Sequence, residues 1–206
     1  MKTGTISTLL LLIGSVMVPL LQADEASALK VLADESASLH DKAMACDELG
    51  RVGTAKAVPA LAPLLADEQL HDYARDGLER IPDPAAGKAL LASWKDLKHS
   101  QRIGVIISLG DRGEKRAVPR LAKIAKGKNE PAAGAALTSL AQIATKESVE
   151  ALLAAYAEGG DERQFAAKNA IDLAVQKLEQ ADRNDEATEL RKAISAGKTA
   201  AVSAGN

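Results

Sequence analysis

The 206-residue chain is long enough for one ordinary domain or a short repeat array, and its composition, 47% hydrophobic but only 2% aromatic, favours helices over a β-sandwich. Its 26 Lys and Arg face 28 Asp and Glu, a net charge of −2, which excludes a general nucleic-acid binder that would need a basic surface. A single cysteine, Cys46, excludes an intramolecular disulfide, so packing must hold the fold.

Taken in chain order, the first element is a leader. Lys2 is the only charge before Asp24, and the apolar stretch Leu9–Leu21 lies between them. One cation, a short apolar run and a small residue at its end read as a signal peptide over 1–23, cleaved after Ala23 or, at the small-x-small site Ala26-Ser27-Ala28, after Ala28. The run is shorter than the ~20 residues of a membrane span and is interrupted by Gly14 and Pro19, so a retained anchor is the lesser alternative. The mature chain is then expected to be periplasmic or secreted.

A short N-terminal helix or cap is expected over 24–36, followed by a repeat. The stretch LGRVGTAKAVPAL at 49–61 returns as LGDRGEKRAVPRL at 109–121, with seven of thirteen positions identical. Leu49, Leu78, Leu109, Leu140 and Ile171 recur at spacings of 29, 31, 31 and 31. Ala45, Ala74, Val105, Ala136 and Ala167 precede them by four. Val52, Ile81, Arg112, Ile143 and Ala174 follow by three, so one narrow small-and-apolar face is expected on each first helix, broken only by Arg112 at a helix end. Leu61, Leu90, Leu121 and Leu152 mark a second helix in each unit, with Val58, Gly87, Val118 and Val149 three residues before them. Gly50, Gly53, Gly110 and Gly113 are expected in the turns between helices, where Gly accepts a left-handed conformation. Pro59 and Pro119 stand near second-helix starts, where Pro is tolerated.

A period near 30 holding two helices predicts an all-α fold, an α-solenoid of about five antiparallel helix hairpins. Four units are placed at 37–66, 67–98, 99–128 and 129–160. An atypical terminal repeat or cap is placed at 161–196 and a disordered tail at 197–206. The runs CDELGRVGTAKAVPALAPLLAD, LGDRGEKRAVPRLAKIAK and ERQFAAKNAI resemble HEAT repeats, in particular the short variety also found in phycobilisome lyases, over roughly 37–175. The resemblance implies a bacterial HEAT-like superhelix whose second helices line a concave, protein-binding side.

The chemistry is sparse. No phosphate-binding, dinucleotide, metalloprotease, C-x-x-C or nucleophile-elbow motif occurs. LHD appears at 39–41 and at 70–72, but Asp41 and Asp72 are accounted for by the positive end of a helix, leaving His40 and His71 as solvated neighbours. His99 has no Asp beside it. Cys46 stands one residue off the inner column and is expected to be half-buried. No catalytic residue, cofactor or metal is expected, and a lyase-like repeat enzyme is the remote alternative.

The working surface expected is basic. Lys115, Arg116, Arg120 and Lys123 gather at the second helix of the third unit, with Arg116, Arg120 and Lys123 at i, i+4 and i+7. The simpler reading is ion pairing between units, with Glu147 opposite Arg116; the functional one is docking of an acidic partner. Trp94, on the second helix of the second unit, is the aromatic anchor in this reading, or else packs between repeats. The function expected is a non-catalytic scaffold or adaptor for a protein or peptide, monomeric unless part of a complex. A permanent accessory subunit of a cell-envelope assembly is the alternative.

Overall fold

Side-chain caps start several of the helices. In the computed structural model, which describes residues 25–203, α1 covers 25–33 and α2 covers Leu39–Val52. The Ser38 hydroxyl caps α2 by accepting from the Asp41 N–H at 3.1 Å. Next come α3 (Val58–Leu61), which runs into a 3-10 segment Ala62–Ala66, α4 (His71–Arg80) and α5 (Pro84–Ala92). The Asp83 carboxylate caps α5 through the Ala85 N–H at 2.8 Å. Helices α6 (His99–Asp111), α7 (Val118–Ala125), α8 (Glu130–Ile143) and α9 (Lys146–Glu158) follow, with Asn129 capping α8 and Thr145 capping α9. The last two are α10 (Asp161–Gln180) and α11 (Asn184–Ser203). The fold is all-α, with no strand among the described residues. Helix α11 extends into the stretch where a disordered tail was expected. The expected signal segment 1–23 lies outside the described residues.

The chain divides between Leu97 and Lys98 into two packing units. In the first, α2 packs along α4, and α4 also meets α3, the 62–66 segment and α5. In the second, the first helices α6, α8 and α10 pack in succession, α7 lies against α8 and α9, and α11 closes on α10 and α9. The recurring apolar positions form both cores: Leu49, Leu78, Leu109, Leu140 and Ile171 are all buried, as are Leu61, Leu90, Leu121 and Leu152. Burying a Leu or Ile side chain contributes about 1.5–3 kcal/mol relative to leaving it in water, so these nine positions carry much of the driving force.

Two expectations are corrected by the packing. Gly50 and Gly110 lie inside α2 and α6, not in the turns. Of the four glycines, Gly113 is the one in the left-handed region, with φ 62°. Gly110 permits close approach instead, because a Cβ there would stand 2.6 Å from the Ser139 Cα of α8. Cys46, expected half-buried, is fully buried. The reason is similar: a Cβ on Gly77 of α4 would fall 2.8 Å from the Cys46 carbonyl oxygen, so glycine brings the α4 backbone down onto α2.

Candidate functional site

The basic edge begins at the turn into α7. Glu114 is extended, and Lys115–Ala117 form a 3-10 turn that leads into Val118–Ala125. Val118, Leu121 and Ala125 face the core at helical spacing. That spacing leaves Lys115, Arg116, Arg120 and Lys123 exposed. All four sequence-predicted cations are therefore brought to one short segment of the second unit.

Arg116 is gripped by Glu114 within its own turn, donating from Nε at 2.7 Å and from Nη2 at 2.6 Å. This fork-to-fork geometry is the strong form of the Arg–carboxylate contact. It holds the Glu114 carboxyl below its ordinary pKa, with the Arg116 hydrogen bond the largest cause, and it raises that of Arg116. Glu147, the expected partner of Arg116, is lowered chiefly by its own backbone N–H and by Thr145, with Lys146 and Lys115 as the cations that add to it. Lys115 therefore acts on Glu147 across the helices.

Other cations do bridge successive hairpins. Lys126 at the end of α7 pairs with Glu158 at the end of α9 at 2.7 Å. Arg163 of α10 donates to the Gly127 carbonyl at 2.7 Å and pairs with Glu130 at 2.9 Å. It therefore satisfies a carbonyl just past the end of α7. Arg183, in the turn before α11, does the same for the Ala144 carbonyl at 2.6 Å.

Trp94 belongs to the first unit and is half-buried. It lies on the 3-10 turn Ser93–Lys95 that follows α5, and not within the helix as expected. Beside that turn is a cleft of about 450 Å³ between the 62–66 segment and the end of α5, lined mainly by small side chains such as Ala62, Ala66, Ala89 and Ala92.

A feature the sequence reading missed lies at the last hairpin. Val149 and Leu153 of α9, Leu178 of α10, and Leu190 and Ala193 of α11 line an apolar groove of about 340 Å³, with Lys146, Glu186 and Glu189 as its charged members. The i, i+4 pair Val149–Leu153 was the available signal, but which face of α11 meets it depends on the turn at 181–183. Phe165, the most exposed of the large apolar side chains among the described residues at 68%, is also on this terminal hairpin.

The titratable residues that chemistry would need are dispersed. His71 Nδ1 lies 3.1 Å from the Asp67 carbonyl, and its Nε2 is 3.4 Å from Asp72. His99 Nε2 meets the Asn129 amide at 2.6 Å. Among the described residues no three His, Cys, Asp or Glu side chains gather around a possible metal position. Burial pushes the Cys46 thiol up to about 11, with Asp67 adding to the effect, which disfavours the thiolate a nucleophile requires. No described helix is long and apolar enough to cross a membrane. No protein-family model matches the chain, and no curated protein matches it either.

Proposed function

We propose that the chain is an exported, non-catalytic interaction array, an α-solenoid of helix hairpins that binds an acidic protein or peptide along its second-helix face. The observation that carries this reading is the exposed row Lys115, Arg116, Arg120 and Lys123 on the segment leading into and along α7. Support for the array comes from the 31-residue recurrence of buried Leu109, Leu140 and Ile171 on successive packed helices and from the resemblance to HEAT repeats. An elongated surface of this kind recognises partners through a few anchors spread over a large area. Exposed cations steer an acidic partner and make its binding salt-sensitive.

The test is capture from a cell-envelope extract by the chain and by an Arg120→Glu/Lys123→Glu variant whose helicity is checked by circular dichroism. A partner released by salt and lost by the variant supports the proposal. A partner bound equally by both chains overturns the choice of surface.

The groove of Val149, Leu153, Leu178, Leu190 and Ala193 favours a second reading, permanent assembly through the terminal hairpin. In that case the captured partner survives high salt and is lost on Leu153→Asp, a change at a half-exposed residue of the groove lining.

A further inference from the structure

The exposed side of α2 and α4 repeats its side chains just as the core does. Met44 and Tyr73 each stand five residues before a buried anchor, Leu49 and Leu78. Both are large and exposed, at 55% and 50%. Asp47 and Asp76 each stand two residues before the same anchors. Because α2 packs along α4, equal register sets each pair side by side. Arg80 makes the second pairing visible: its Nη2 lies 2.6 Å from Asp47 and 3.2 Å from Asp76. One guanidinium serves two carboxylates, so this pair keeps a net negative charge. Asp72, next to Tyr73, is exposed as well.

The two units differ in charge. Residues 25–97 hold 13 Asp and Glu against 8 Lys and Arg, a net −5. Residues 98–203 hold 14 against 17, a net +3. The acidic excess lies in the unit of Met44 and Tyr73, the basic excess in the unit of the α7 row.

Resting on the reading of the basic edge as a dock for an acidic partner, we propose that this partner is a second copy of the chain, whose α2–α4 face sets Met44, Tyr73, Asp47 and Asp76 against Lys115, Arg116, Arg120 and Lys123. The aliphatic stems of Lys and Arg cover apolar side chains while their charged heads stay in water. They therefore suit a face on which Met44 and Tyr73 lie among carboxylates. The Tyr73 ring also offers a guanidinium an attractive face. Exposed ion pairs are weak one by one, so the association is reversible and sensitive to salt. The two patches differ, and each copy carries both halves of the contact.

The experiment follows the purified chain by sedimentation velocity over a rising concentration series, at about 0.05 M and about 0.5 M salt. Association is expected in low salt and a monomer in high salt. Asp72→Lys/Asp76→Lys and Arg120→Glu/Lys123→Glu, each checked for helicity by circular dichroism, are expected to weaken it roughly tenfold or more. Met44→Lys/Tyr73→Lys takes the place of the first pair if that pair does not fold. Each variant spoils one patch and keeps the other, so a mixture of the α4 variant with the α7 variant is expected to associate again. A monomer at every concentration, association that survives high salt, or a mixture that stays dissociated overturns the inference. If Arg120→Glu/Lys123→Glu then still loses an acidic partner captured from the extract, the reading of the basic edge stands without it.

Discussion

Gly110 and Ser139 are in backbone-level contact: a Cβ on Gly110 would lie 2.6 Å from the Ser139 Cα. The Ser139 hydroxyl uses this closeness to donate to the Ile106 carbonyl at 2.9 Å, one turn back along α6. The contact sets how nearly α6 and α8 approach, and with it the packing of the row of first helices in the second unit. Gly110→Ala forces the two helix backbones apart, an overpacking cost of about 2–3 kcal/mol. Chemical denaturation checks this against Gly134→Ala in α8, where the added methyl meets nothing within 4 Å. That change is expected to stabilise by about 0.5–1 kcal/mol through helix propensity.

Ala144 ends α8 in the left-handed conformation, with φ 47°. The Cβ penalty there is about 1–2 kcal/mol, partly offset by the larger backbone entropy that Gly loses on folding. Ala144→Gly is therefore expected to raise stability by roughly 0.5–1 kcal/mol, read as a higher denaturation midpoint with an unchanged slope.

Cys46 lies buried with its thiol pushed up to about 11. Two outcomes are expected. A thiol-specific reagent at pH 8 reacts with the unfolded chain and not with the native one. Stability is also linked to pH, because the unfolded thiol releases its proton at lower pH than the buried one. Its contribution is complete below the unfolded value near 9 and is lost as pH rises towards 11. Cys46→Ala, compared with the parent chain over that window by denaturant titration, flattens this part of the profile.

Glu114 is held below its ordinary value, first by the hydrogen bond from Arg116. A lowered carboxyl adds stability above its unfolded pKa and loses it as pH falls through the folded one. Glu114→Gln is therefore expected to weaken the acid-limb dependence of the second unit. If the basic edge binds an acidic partner, the same variant removes the Glu114 charge beside Arg116 and tightens that binding. Titration calorimetry with a captured partner at low and high salt reads the second effect.

The sequence by itself determined the all-helical composition and the residues of the cores. Leu49, Leu78, Leu109, Leu140 and Ile171 are buried because a recurrence of one helical face every 29 or 31 residues leaves that face only other helices to pack on. It also placed Lys115, Arg116, Arg120 and Lys123 outside, since Val118, Leu121 and Ala125 take the core side of the same segment. Tertiary structure decided what a one-dimensional pattern does not encode. Gly110 looks like a turn residue, yet it serves helix approach, because the need for a missing side chain is created by the neighbouring helix; Gly50, also inside its helix, leaves room for the Arg80 guanidinium. Cys46 is deep because Gly77 lets α4 settle on α2. Arg163 and Arg183 satisfy carbonyls 36 and 39 residues away. The Glu114 clamp on Arg116 follows from a 3-10 turn that puts carboxylate and guanidinium on one side. Spacing tells which face a residue occupies; only the packing of one helix on the next tells what that face meets.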